Sequence, residues 1–261
     1  MKKILLILSL AISATSLAQN QAANWYFGQN AGVNFNLANG AVTSVDNGRL
    51  NTREGCTSIS DENGALLLYT DGSVVYNRNH TVMQNGTGLY GDASSTQSAI
   101  VIPKPQDPNI YYIFTVDTSV GQNDPDFGFN YSIVDMSLDG GLGGVTSKNI
   151  NLLNDSSEKI TAVSQDCQTE AIWVITYANS SGAGPYNSYQ AFEVTAAGVN
   201  TTPVVSLVPG VVTDPRGQMK VSPDGTKMVS ANMRQGLYLY DFDTTTGVVS
   251  NPIELLINNF S

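Results

Sequence analysis

Residues 221–232 read VSPDGTKMVSAN, and this short stretch decides the fold. An apolar start leads into a Pro-Asp-Gly corner at 223–225, and a second apolar run follows. Pro, Asp and Gly favour tight turns, so the stretch predicts two antiparallel strands joined by a hairpin. The fold then depends on whether this hairpin stands alone or repeats along the chain.

The same plan of strand, polar turn and strongly apolar strand occurs three more times. The copies read GCTSISDENGALLLY at 55–69, SAIVIPKPQDPNIYYIFTV at 98–116 and ITAVSQDCQTEAIWVITY at 160–177. Further alternating or apolar runs follow each copy, so the later units contain four short strands. A unit of this kind, recurring roughly every 45–60 residues, is typical of the blades of a β-propeller.

The sequence therefore predicts an all-β chain folded as a propeller with four-stranded blades. The expected blades cover about 53–90, 94–153, 158–208 and 216–258, and the strands within 24–45 are expected to be outer strands of a closing blade. Four blades and two extra strands predict an open arc, which we interpret as a fragment of a larger propeller with about seven blades. A β-sandwich with irregular strand lengths remains the alternative.

The first 18 residues have the pattern of a secretory signal peptide. Lys2 and Lys3 precede a mostly apolar run, and a Ser-Leu-Ala site lies before Gln19. We expect cleavage after Ala18, which leaves a propeller domain over 19–261. The alternative is a membrane anchor, for which the run is short, and no other segment resembles a transmembrane span. The predicted destination is the exterior or outer surface of a Gram-negative cell, reached through the periplasm.

Charge and cysteine content limit the partners and the chemistry. The formal net charge of −10 disfavours nucleic acid, since phosphate binding needs a basic patch. Cys56 and Cys167 fall in repeats that are not adjacent, which favours two separate thiols. A disulfide stays open, because secretion would permit one.

Three stretches resemble a specific family, and they are NWYFGQNAGVNFN at 24–36, EGCTSISDENGALLLYTDGSVVYNRNHTVMQNG at 54–86 and SSTQSAIVIPKPQDPNIYYIFTVD at 94–117. They resemble the N-terminal propeller of large secreted surface proteins of Bacteroidetes, which end in a gliding-motility-associated sorting domain read by type IX secretion. The fourth repeat, at 221–249, is similar to YVTN, WD40-like and lactonase-like propeller repeats, which is a less specific likeness. The resemblance implies a surface role in adhesion, gliding or assembly.

Motifs for catalysis are sparse, and the sequence predicts no catalytic residue. His80 is the only histidine, so a Ser-His-Asp arrangement would have to use it. The chain has no Gly-x-Ser-x-Gly elbow and no His-Glu-x-x-His motif. We interpret His80 as a hydrogen-bonding loop residue. A propeller hydrolase would instead use the acids at repeat starts, for example Glu54, Glu158 and Asp214.

A few residues are candidates for binding. Asp124 and Asp126 lie two residues apart and are the candidates for a Ca²⁺ site, although no cofactor is otherwise expected. Tyr186 and Tyr189 flank the loop SSGAGPYNSY and are the candidates for surface contact with a ligand. The remaining aromatic residues of the apolar strands are expected in the core: Trp25, Tyr26, Tyr111, Tyr112, Phe114, Trp173 and Tyr177.

The function predicted from these features is a secreted or cell-surface interaction module without enzymatic activity, whose partner is a protein or a glycan. The alternative is a secreted lactonase-like or other propeller hydrolase, because propellers support both roles. A scaffold that only spaces other domains is a third hypothesis.

Overall fold

A computed structural model describes residues 17–117, 126–166, 168–182 and 184–255. Within these ranges the chain forms twenty β-strands and two short 3-10 helices, Leu17–Ala22 and Asp139–Gly141, and it has no α-helix. None of the helices in this part of the chain is long and apolar enough to cross a bilayer. The prediction of an all-β propeller is confirmed, and its blades have the expected four strands except one, which has a short fifth strand.

The strands form a three-stranded N-terminal sheet and four blades. The N-terminal sheet contains β1 (Asn24–Phe27), β2 (Ala31–Phe35) and β3 (Val42–Val45). Blade 1 contains β4 (Thr57–Ser60), β5 (Leu66–Thr70), β6 (Val74–Asn77) and β7 (Val82–Thr87). Blade 2 contains β8 (Ala99–Lys104), β9 (Asp107–Val116), β10 (Phe129–Asp135) and β11 (Gly144–Leu153). Blade 3 contains β12 (Ile160–Ser164), β13 (Ile172–Ala178), β14 (Tyr186–Thr195), β15 (Gly198–Val199) and β16 (Val204–Val212). Blade 4 contains β17 (Gly217–Val221), β18 (Lys227–Asn232), β19 (Leu237–Asp243) and β20 (Val248–Leu255).

Neighbouring strands within each blade run antiparallel, and the blades follow one another through their first strands. Strand β4 contacts β8, β8 contacts β12, and β12 contacts β17. Blades 1 and 2 also join at their outer strands, where β7 and β11 pair in parallel at Gln84 and Gly144. The first strand of each blade is therefore the inner strand, and the last is the outer strand.

The apolar core lies between the blades. Phe114 of blade 2 packs in one cluster with Val174 and Phe192 of blade 3, and all three side chains are fully buried. Separate clusters fill the space between blades 1 and 2 and between blades 3 and 4. The central strands of blades 2 and 3 read as continuous apolar runs because these blades are covered on both faces.

The side chain of Gln97, which precedes β8, connects three blades through hydrogen bonds. Its Oε1 accepts the N–H of Met219 at 2.8 Å and that of Ile160 at 3.3 Å, and its Nε2 donates to the Met219 carbonyl at 3.3 Å. The two backbone donors lie on the inner strands β17 and β12. One amide from blade 2 thus fixes the spacing of blades 3 and 4.

Two local elements differ from the sequence-based expectations. Two strands were expected within 24–45, but the chain turns at Gly28 and Asn30, whose φ angles are 57° and 59°, and this region forms three strands. The fourth strand of blade 1, β7, was not predicted, because VMQNGT carries no apolar run and Met83 is its only buried side chain. Outer strands need little burial, which weakens their signal in the sequence.

We predict that Gln97→Ala lowers the free energy of unfolding by about 1–3 kcal/mol, because the backbone N–H groups on β12 and β17 lose their acceptor. Urea denaturation of both proteins measures this. The control is Gln218→Ala, which truncates an exposed glutamine on β17. Equal stability of the two variants would show that the three-blade connection contributes nothing.

Candidate functional site

A cavity of about 730 Å³ lies between the first hairpins of blades 1, 2 and 3. Its charged wall consists of five carboxylates and a single lysine, and we call it the acidic cavity. The charged residues are Asp61, Glu62, Lys104, Asp107, Asp166 and Glu170. Prolines at 103, 105 and 108, together with Tyr111 and Ile172, form the apolar part of the wall.

The aspartates of the acidic cavity build the turns that surround it. Asp61 Oδ1 accepts the N–H groups of Asn63 and Ala65, both at 2.9 Å. Asp166 Oδ1 accepts the N–H of Thr169 at 2.6 Å, and Asp107 Oδ1 accepts that of Asn109 at 3.2 Å. Asp side chains favour turns for this reason. These carboxylates are therefore held in place before any partner arrives.

The two glutamates add charge that the turns do not require. Glu62 is exposed beside Asp61, and both raise the pKa of Tyr111, on which burial has the larger effect. Glu170 Oε2 accepts the N–H of Gln106 at 3.1 Å, so it connects the hairpins of blades 2 and 3. Glu170 adopts a left-handed backbone with φ of 58°, which is uncommon outside glycine.

The acids at repeat starts, Glu54, Glu158 and Asp214, lie near the beginnings of the inner strands, at the end of the blades opposite the acidic cavity. Glu158 is buried, and its Oε2 accepts both the N–H of Thr96 at 2.8 Å and the Thr96 hydroxyl at 2.7 Å. Burial raises the pKa of Glu158, and Glu54 adds to that effect. Asp214 binds Arg216 through two hydrogen bonds, of 2.8 and 2.5 Å.

A cavity of about 400 Å³ adjoins this group, and we call it the axial pocket. Glu54, Thr96 and Arg216 line it together with residues of blade 4. Beside them Lys159 is fully buried, and its Nζ donates to the carbonyls of Pro215 and Arg216 at 3.3 and 3.4 Å. Burial lowers the pKa of Lys159 to about 8. The sequence named the three acids, but only the packing of consecutive blades brings them together.

Tyr186 and Tyr189 are not surface residues, which corrects the premise on which they were chosen. Both side chains are buried, with exposed fractions of 5% and 1%. The Tyr189 ring lies 4.6 Å from the ring of Tyr177 and 5.0 Å from that of Tyr240. Strand β14 lies between β13 and β16, so tyrosines beside a glycine-rich loop enter the core instead.

Of the two candidate Ca²⁺ ligands, Asp124 lies outside the described residues. Asp126 is exposed, and its Oδ1 accepts the N–H of Gly128 at 2.8 Å. Its side chain meets the carboxyl group of Asp155, a residue that the sequence did not single out. Across the described ranges, no three His, Cys, Asp or Glu side chains form a group that would hold a metal ion.

The other single residues have local roles. His80 lies in the turn after β6, where its Nε2 is 2.9 Å from Asn47 Nδ2 and its Nδ1 is 3.1 Å from the Tyr69 hydroxyl. Cys56 is a half-buried free thiol whose pKa is raised by burial, and Cys167 lies outside the described residues. Trp25 was expected in the core, but half of its surface is exposed on the N-terminal sheet.

No family model matches the sequence, and no curated protein matches it. The resemblance to gliding-associated surface proteins therefore stays a prediction. At 14–15% sequence identity the chain is similar to three solved structures, and it covers about three fifths to two thirds of each. At this level of similarity the neighbours indicate no function for the chain.

One neighbour is a functionally unknown protein from Desulfotomaculum acetoxidans, with a TM-score of 0.44, 14% identity, and coverage of 88% of this chain and 66% of that chain. The second is a luciferin-regenerating enzyme, with a TM-score of 0.41, 15% identity and coverage of 77% and 59%. The third is a proposed 6-phosphogluconolactonase from Bacteroides uniformis, with a TM-score of 0.44, 14% identity and coverage of 87% and 65%.

The contact between Asp126 and Asp155 predicts a dependence of stability on pH. Burial raises the pKa of Asp155 to about 6, and the carboxylate of Asp126 adds to the shift. The folded protein therefore binds a proton more tightly than the unfolded chain, and this contribution to stability is lost as the pH rises through 6. Between pH 5 and pH 7.5 we expect the wild type to lose about 1–2 kcal/mol relative to Asp155→Asn, after allowance for solvent at this half-buried site.

Denaturation of both proteins at the two pH values measures the difference. Asp139→Asn, at an exposed turn of blade 2, is the control and should show the pH dependence of the wild type. A constant difference between wild type and Asp155→Asn would contradict the prediction.

Proposed function

We propose that the protein is a non-enzymatic interaction module that acts outside the cell or at the outer surface of a Gram-negative bacterium. The observation that carries this proposal is the acidic cavity, which three successive blades build from corresponding turns. A concave site on rigid strands, lined by loop residues, suits the recognition of a partner.

The carboxylates of the acidic cavity suit binding better than acid–base catalysis. Hydrogen bonds from the backbone and hydroxyl of Thr169 lower the pKa of Asp166. A general acid or base works best when its pKa lies near the working pH. Asp166 instead keeps a permanent negative charge, which is the property that a binding surface needs.

The charge of the cavity defines the partner as a protein segment rich in lysine or arginine. Five carboxylates face one cation, Lys104, and Asp107 Oδ2 already pairs with its Nζ at 3.3 Å. A neutral glycan would gain nothing from this excess of negative charge, whereas a basic segment would be attracted over a distance. The apolar part of the wall, with Tyr111 and three prolines, suits the aliphatic stems of such side chains.

The proposal includes a location at the cell surface and a role there. Lys2, Lys3 and the apolar run after them support export, and the family resemblance supports a part in adhesion, gliding or surface assembly. A surface partner with an exposed basic segment fits this setting.

We predict that a hexalysine peptide binds the full chain and that Glu62→Gln/Glu170→Gln weakens binding by about tenfold, since each lost charge removes roughly 0.5–1 kcal/mol. Isothermal titration calorimetry at low salt measures both affinities. These substitutions leave the aspartates that form the turns in place.

The matched control is Glu193→Gln/Glu254→Gln, which removes the same charge away from the acidic cavity. It should bind hexalysine nearly as well as the wild type. An equal loss of affinity in the control would show that only the net charge of the protein matters. Binding of an uncharged oligosaccharide in place of hexalysine would assign the site to a glycan.

A propeller hydrolase is the second candidate, favoured by the convergence of Glu54, Glu158 and Asp214 near the axial pocket. Glu158 with its raised pKa suits a proton donor, and Arg216 suits the stabilisation of a developing negative charge. Turnover of a panel of lactones and esters by the full chain, abolished by Glu158→Gln with folding retained, would establish this candidate. Loss of hexalysine binding on substitution in the acidic cavity, without such turnover, would favour the interaction module.

A further inference from the structure

Strand β16 forms the outer edge of blade 3 and carries no charged side chain. It spans Val204–Val212 with the sequence VVSLVPGVV, and among the described strands it pairs with β14 alone. An unpaired strand edge exposes a row of backbone donors and acceptors that another strand is able to use. The edge of β16 is therefore open to pairing.

Exposure alternates along β16. Val205 and Leu207 are 47% and 69% exposed, and Leu207 is the most exposed large apolar residue in the described part of the chain. Ser206 and Val208, between and beside them, are buried. Ser206 Oγ accepts the N–H of Val249 at 2.9 Å, which fixes that face of the strand against blade 4. The opposite face presents a short apolar row to solvent.

The outer strands of the other blades are protected. Strands β7 and β11 pair with each other, and β11 also carries Lys148. Strand β20 contains Pro252 and Glu254, which interrupt and charge its edge. Charges, prolines and pairing are the usual means by which proteins block unwanted strand addition. Among the outer strands of the four described blades, β16 is the one whose first five residues, Val204–Val208, have none of them, and Pro209 follows within the strand.

Pairing of outer strands already occurs inside this chain. The contact between β7 and β11 joins blades 1 and 2 into one eight-stranded sheet. The outer edge of a blade in this protein is thus able to continue into the outer edge of another blade. A second copy of blade 3 offers the same kind of edge.

We propose that β16 pairs antiparallel with β16 of a second copy, about a two-fold axis near Ser206, to form a homodimer. Pro203 and Pro209 limit the paired segment to Val204–Val208, because proline has no N–H to donate. The two blades 3 then form one continuous sheet across the dimer.

The two-fold arrangement makes the strand complementary to itself. With the axis at Ser206, Val205 of each copy lies opposite Leu207 of the other. Apolar cross-strand pairs of this kind stabilise antiparallel sheets, and a two-fold interface uses one surface patch twice. A different protein would need to supply a similarly uncharged strand, whereas a second copy of this chain already contains one. The short paired segment predicts a weak, reversible dimer.

We expect the wild-type chain to pass from monomer to dimer as its concentration rises, measured by sedimentation equilibrium. Leu207→Lys should weaken the dimer by about tenfold or more, since it places two like charges near the axis and removes an apolar pair. The side chain points to solvent in the monomer, so the fold should be retained, as circular dichroism checks.

The matched control is Val211→Lys, on the same strand and 57% exposed, but beyond Pro209. It should dimerise as the wild type does. Hydrogen exchange at high concentration gives a second readout, with new protection confined to the amides of 204–208 in the wild type and absent in Leu207→Lys.

A wild-type chain that remains monomeric at every concentration would overturn the proposal. So would a dimer that Leu207→Lys and Val211→Lys affect equally.

Discussion

Every blade of this protein depends on a neighbour to cover its apolar face. The central strands of blades 2 and 3 bury Phe114, Val174 and Phe192 completely, and they do so only because the two blades pack against each other. Blades 3 and 4 show the same dependence, since the indole N–H of Trp173 donates to the Thr244 carbonyl at 2.7 Å while its ring packs into the shared core. A single four-stranded sheet would expose one or both of these surfaces to water.

The polar centre of the ring follows from the same constraint. Blades that pack face to face bring the starts of their inner strands together, where backbone groups need partners. Glu158 illustrates the result, because its N–H donates to the Pro215 carbonyl at 3.0 Å and its own carbonyl accepts the N–H of Gln97 at 3.2 Å. Hydrogen bonds between consecutive blades therefore place Glu158 beside the axial pocket, and the three turns of the acidic cavity lie at the opposite ends of the inner strands.

The sequence predicted the parts of this structure that depend on local patterns. Apolar runs such as ALLLY and AIWVIT, next to polar turns, were enough to find the second strand of each blade. Strand β7 was not predicted, because an outer strand needs few apolar residues. Tyr189 was wrongly expected at the surface, because the loop beside it does not show whether its side chain points into the core. The acidic cavity was not predicted at all. Glu62 and Glu170 are far apart in the chain, and only the packing of blades brings them to one wall.

The shared sheet of blades 1 and 2 has a consequence for cooperativity. Asn85 Nδ2 donates to the Val145 carbonyl, Lys148 Nζ to the Thr87 carbonyl and Asn149 Nδ2 to the Gly88 carbonyl, all within 2.8–2.9 Å. These bonds tie the two outer strands together along their length, so neither blade opens without disturbing the other. Blades 3 and 4 lack such a shared sheet and meet through packed side chains and a few hydrogen bonds instead. The four blades therefore consist of one double-sized unit followed by two single ones, and we expect local unfolding to start from the single ones.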